Sequence, residues 1–215
     1  MIDEAEAALL VECGVDWLGF PLRLPVNKED LSEDQAADVI RAIVPPQQGV
    51  LITYEVDAHE ISAFCRALGV STVQLHADVP VGQLRDLKQL RPHLVVVKSL
   101  VVRGDNQREL AMTVEKTCEW VDMYITDTFN PATGAEGATG LVHDWAISSS
   151  LVQLSPRPVM LAGGLNAENV ADAIEHVRPA AVDAHTGLED TSGRKDSDKL
   201  RRFVVSARKA FAQLD

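Results

Sequence analysis

Pro158-Val159-Met160-Leu161-Ala162-Gly163-Gly164-Leu165-Asn166, followed by Val182-Asp183-Ala184-His185-Thr186-Gly187-Leu188-Glu189, decides the reading of this chain. Each stretch is an apolar run that stops at glycine and a small polar residue. After the first, a helical pattern opens at Asn166-Ala167-Glu168-Asn169. The spacing predicts two consecutive strand-to-loop junctions of the kind that hold a phosphate. Glycines let backbone amides approach an anion, and the open start of the next helix adds partial positive charge. In a barrel of alternating strands and helices the phosphate site falls at the last two such loops, and these are the last two here. The ligand implied is a phosphorylated small molecule.

Outward from that stretch, β-rich runs alternate with amphipathic ones. Strands are expected at Val15–Phe20, Gly49–Tyr54, Thr72–His76, Leu94–Leu100, Met123–Asp127, Val159–Gly163 and Ala181–His185. Helices are expected at Ser32–Ile43, Ala58–Leu68, Val81–Leu90, Arg108–Trp120, Asp144–Leu154, Ala167–Val177 and Asp196–Ala212, with Ser32 and Gln35 forming a capping box. Short apolar strands separated by helices require parallel pairing with right-handed crossovers. A closed barrel of this type has eight strands; seven are read, because Asp3–Cys13 has a helical pattern. The rival, an open doubly wound sheet, carries a glycine fingerprint after its first strand, whereas that loop reads Phe20-Pro21-Leu22-Arg23. The expectation is one α/β domain over residues 1–215, a TIM (β/α)8-type barrel incomplete by its first strand.

With 215 residues, 46% of them hydrophobic, the chain can bury one sizeable core. A formal charge of -12 argues against nucleic-acid or anionic-membrane binding, which needs a basic surface. An anionic ligand must then be held by local dipoles. No apolar run approaches membrane-spanning length and the amino terminus is acidic, so a cytoplasmic location is expected. Cys13, Cys65 and Cys118 are odd in number and widely spaced, which suggests neither disulfides nor a zinc site. No metal or organic cofactor is implied.

Further pieces carry a family resemblance: Cys13 to Phe20, Val73-Gln74-Leu75-His76-Ala77-Asp78, Val97-Lys98-Ser99-Leu100, Ile125-Thr126-Asp127-Thr128, and Ala138-Thr139-Gly140 leading to Asp144-Trp145. With Ala162 to Asn166, Val182-Asp183 and Gly187-Leu188-Glu189, their order over nearly the whole chain resembles the phosphoribosylanthranilate isomerases of tryptophan biosynthesis. The resemblance implies a (β/α)8 barrel and an Amadori rearrangement of an N-linked ribosyl phosphate to an open-chain aminoketose. That chemistry needs an acid for the furanose ring oxygen and a base for the neighbouring carbon, with the phosphate as anchor. By the resemblance Asp127 is the general acid, and Gly163, Gly164, Asn166, Thr186 and Gly187 form the phosphate cradle. Asp183 orients substrate or acid, and Gln74 and His76 fall on the family's Gln-Leu-His. For each there is a plainer role: turn aspartate, tight-turn glycines, buried hydrogen-bonder, core histidine.

The departures bear on mechanism. The family's base is a cysteine on the first strand, in Lys-x-Cys-Gly, which is not found here; Cys13 aligns near the end of the first helix. An upstream start, a covering segment or second copy at the open edge, or a substitute base would each account for this. His185, at the end of the last strand, is the candidate substitute. The family's Ser-Pro-Arg, which contacts the aromatic carboxylate, is replaced by Leu22 to Lys28, leaving Arg23 or Lys28 as loose stand-ins. Two rivals follow: an isomerase or lyase on another sugar phosphate, and a non-catalytic relative binding a phosphorylated metabolite.

Overall fold

The computed structural model describes residues 3–25, 30–130, 135–136 and 144–214. The chain divides into two compact units, Met1–Lys98 with Glu119–Asp122, and Ser99–Cys118 with Met123–Asp215.

In the first unit, helix α1 (Glu4–Glu12) starts where the Asp3 carboxylate accepts the Glu6 amide at 2.9 Å. Then come β1 (Trp17–Pro21), α2 (Glu33–Ala42), β2 (Gln48–Thr53), α3 (Ala58–Leu68), β3 (Thr72–Leu75), α4 (Val81–Leu90) and the first half of β4 (Val95–Val102). The expected capping box at Ser32 and Gln35 is present, with both reciprocal bonds made. Strands β1 to β4 pair in parallel in chain order, Leu51 opposite Val73 and Thr72 opposite Val95. Ile61, Phe64, Cys65 and Leu68 recur at helical spacing on α3 and are buried, as are Leu84 and Leu87 of α4 and Leu18, Phe20, Leu51 and Leu75 of the strands. Each large apolar side chain so buried contributes about 1.5–3 kcal/mol. Residues 119–122 join this unit through Asp122, whose carboxylate accepts both Lys88 Nζ and the Val96 amide at 2.7 Å.

The second unit contains α5 (Gln107–Thr117), β5 (Met123–Asn130), β6 (Ala135–Glu136), α6 (Trp145–Leu154), β7 (Val159–Leu161), α7 (Val170–Val177), β8 (Ala181–Val182), a 3-10 turn (Thr186–Leu188) and α8 (Ser197–Phe211). Strands β5, β7 and β8 are parallel neighbours, with Ile125 opposite Met160 and Met160 opposite Ala181. Tyr124, Ile125, Val159, Leu161, Val170, Ile174, Leu200 and Phe203 form the buried core. Parallel strands cannot be joined by tight turns, so every loop that follows a strand emerges at its carboxyl end.

The structure moves several expected boundaries. Strand β5 runs on to Asn130 and folds back antiparallel with β6, Phe129 opposite Glu136. Strands β7 and β8 stop at Leu161 and Val182, short of the expected Gly163 and His185. Gly163 and Gly164 take φ of 99° and 63°, a region only glycine enters freely, and this turns the chain out of the sheet. Helix α7 begins at Val170 rather than Ala167 because two asparagines hold the intervening turn. Asn166 Oδ1 accepts the amides of Glu168 and Asn169 at 2.9 and 3.0 Å, and Asn169 Oδ1 accepts the Asn166 amide at 2.9 Å.

Candidate active site

The carboxyl ends of β5, β7 and β8 surround a recess lined by Asp127, Ala162 to Leu165 and Asp183 to Gly187. Its floor is set by the parallel register, which places Thr126 beside Leu161 and Leu161 beside Val182. The next residue of β5 is Asp127, buried at 9% exposure, with Oδ1 accepting the Thr128 amide at 2.8 Å.

Backbone amides without partners lie along the recess. Among the described residues, those of Gly163, Gly164, Thr186 and Gly187 donate to no protein group. The two loops lie in contact: a Cβ on Gly187 would collide with the Leu165 carbonyl and come within 3.0 Å of Asn166 Cβ. Only glycine permits that approach, so residue 187 brings the second loop's amides up to the first. The start of α7 contributes less than its sequence suggests. The amides of Asn166, Glu168 and Asn169 are already taken by the asparagine pair, and Asn166 itself does not line the recess.

Two acidic groups and an imidazole complete the lining. Asp183 is exposed as a whole residue, yet desolvation of its carboxyl, with Asp127 adding like-charge repulsion and Lys195 opposing, pushes its pKa up to about 6. The His185 side chain is half exposed, with Nδ1 3.0 Å from Glu189 Oε1.

The remaining expected residues lie in the first unit. Gln74 is half-buried on β3, and His76 is buried just beyond it, its ring stacked on Tyr54 at 4.8 Å between centroids. Arg23 has φ of 55° and spans three carboxylates: Glu33 at 2.8 Å, Glu55 at 3.6 Å and Glu60 at 3.9 Å, with its guanidinium 3.9 Å over the Phe64 ring. Lys28, the other candidate cation, lies outside the described residues, as do Ala138, Thr139 and Gly140. Glu189, Lys195 and Lys199 were not expected in a site. They stand in or beside a polar run, Glu189 to Lys199, that reads as a solvated loop, and only their contacts with the loop after β8 reveal them. Among the described residues no group of three or more His, Cys, Asp or Glu side chains could hold a metal ion, and no helix is long and apolar enough to cross a membrane.

A strand-end carboxylate facing a cradle of unspent amides, on parallel strands joined through helices, defines an α/β enzyme of the TIM (β/α)8-barrel type. A family model described as N-(5'phosphoribosyl)anthranilate (PRA) isomerase matches residues 7–206, and the chain belongs to that family. N-(5'-phosphoribosyl)anthranilate isomerase 2 of Methanosarcina mazei is 38% identical over 207 residues, 96% of this chain and 90% of that one. The crystal structure of phosphoribosyl anthranilate isomerase from Thermotoga maritima superposes with a TM-score of 0.81 at 28% identity, covering 97% of this chain and 96% of the other. A phosphoribosyl anthranilate isomerase in complex with reduced 1-(o-carboxyphenylamino)-1-deoxyribulose 5-phosphate does so at 0.79 and 27% identity, over 97% and 95% of the two chains.

Proposed function

We propose that this protein isomerises N-(5'-phosphoribosyl)anthranilate to 1-(o-carboxyphenylamino)-1-deoxyribulose 5-phosphate, an intramolecular step of tryptophan biosynthesis carried out in the cytoplasm. The observation that carries the reading is that one recess is lined both by the buried Asp127 and by Gly163, Gly164, Thr186 and Gly187, whose amides have no protein acceptor among the described residues. The phosphate anchors in the amides, where no desolvated cation is needed. Asp127, as the acid, passes its proton to the furanose ring oxygen; the C1–O bond breaks and the nitrogen lone pair forms C1=N. A base then removes the proton from C2, giving an enolamine that tautomerises to the ketone.

We assign the base to His185, on the ground that this residue lines the same recess as Asp127. Asp183 orients the sugar beside the acid. The three glutamates around Arg23 favour a bracing role for that residue. Purified protein given N-(5'-phosphoribosyl)anthranilate tests the reading, together with growth of a tryptophan auxotroph lacking this isomerase. Turnover and rescued growth, both abolished by Asp127→Asn, are expected. Tight phosphate binding without turnover would leave only a phosphometabolite-binding relative.

A further inference from the structure

The segment that presents Thr186 and Gly187 is tied at its start to an ion pair and at its end to the opening of α8. At its start, Glu189 Oε1 meets His185 Nδ1 at 3.0 Å and Lys195 Nζ donates to the His185 carbonyl at 3.2 Å. At its end, the Asp196 amide donates to the Leu188 carbonyl at 2.8 Å and Lys199 Nζ to the Glu189 carbonyl at 2.6 Å. The same Glu189 carboxylate takes Lys195 Nζ at 2.8 Å, and Glu189 and Lys195 also form an isolated antiparallel bridge. Their side chains are only 16% and 9% exposed. A surface ion pair adds little to stability, but a pair withdrawn from water this far is held in one geometry, and removing one member leaves the other uncompensated.

We propose that Glu189 is a positioning residue for phosphate capture, fixing through His185 and Lys195 the loop whose amides at 186 and 187 face the recess. The inference rests on the phosphate reading of the recess given above. Glu189 lies outside the recess lining, so it touches no substrate and acts only through the loop. The turn's own bonds, from the Leu188 and Glu189 amides to the His185 and Thr186 carbonyls, shape the loop, but the amides of Thr186 and Gly187 donate to nothing among the described residues, so their aim follows from how the loop is anchored. Release of the anchors lets those donors turn away, and the loss appears in binding rather than in chemistry.

The test compares the wild type with Glu189→Ala and Glu189→Gln, measuring inorganic phosphate binding by calorimetry and KM and kcat with N-(5'-phosphoribosyl)anthranilate. Glu189→Ala is expected to raise both the phosphate Kd and KM about tenfold while kcat changes less than about threefold, since uniform binding is what is removed. Glu189→Gln, which keeps an acceptor for His185 and Lys195 without the charge, falls between; it decides the matter if the alanine variant does not fold. Unchanged phosphate affinity in a folded variant overturns the proposal. So does a loss confined to kcat, which would place Glu189 behind the base instead. A wild type that binds no phosphate sinks the reading of the recess itself, an outcome separate from failure of the Glu189 variants alone.

Discussion

The loops after β7 and β8 and the cluster around Arg23 both form where strands give way to loops, and they treat polar groups in opposite ways. Around Arg23 the cation is answered several times over: one guanidinium meets three glutamates and lies over an aromatic ring. Around Gly163 and Gly187, four residues that line one recess have amides with no protein acceptor among the described residues. Buried or half-buried donors are normally satisfied, so the second arrangement is stable only if water or a ligand completes it. A closed cluster braces a fold, and an open one marks where something binds.

The sharpest way to break this comparison is Asp127→Asn, which keeps shape and removes the acid. Turnover is expected to fall by roughly 10²–10⁴-fold, with thermal stability nearly unchanged; a loss of stability alone would make Asp127 a turn residue. Next comes Gly187→Ala. The added methyl meets the Leu165 carbonyl, and relieving that overlap costs roughly 1–3 kcal/mol. The effect should show as a KM raised about tenfold or more, with a smaller loss of kcat, in steady-state assays.

Asp183 gives a pH-dependent test of the open region. Its folded pKa of about 6 lies above the ordinary 3.8, so the native state holds an extra proton between those values and ionisation above pH 6 opposes folding. Asp183→Asn should therefore raise the melting temperature at pH 8, and the difference from wild type should shrink towards pH 4. No pH dependence in that difference would show Asp183 to be fully solvated. The smallest effect belongs to the closed cluster. Arg23→Ala is expected to lower stability by about 1 kcal/mol, read from denaturant unfolding, and to leave KM within about threefold. A large rise in KM would return Arg23 to the substrate.

Much of this was legible in the sequence, for identifiable reasons. The apolar run read as a strand over Leu94–Leu100, found at Val95–Val102, and the periodic helix Ala58–Leu68 announce themselves locally, and the glycines of the two loops are punctuation no other residue could supply. Less local features were hidden. The late start of α7 depends on two asparagine side chains exchanging backbone partners, where a helix-opening pattern reads the same either way. The two-residue β6 is too short for any alternation to show. Glu189 and Lys195 look like solvent-facing charges until the chain closes around them.

The most direct test of the open recess is a crystal structure of this protein with reduced 1-(o-carboxyphenylamino)-1-deoxyribulose 5-phosphate. The phosphoryl oxygens should lie about 3 Å from the amides of Gly163, Gly164, Thr186 and Gly187, with the Asp127 carboxyl turned to the sugar. A phosphate seated elsewhere, with those amides still without an acceptor, would contradict the account.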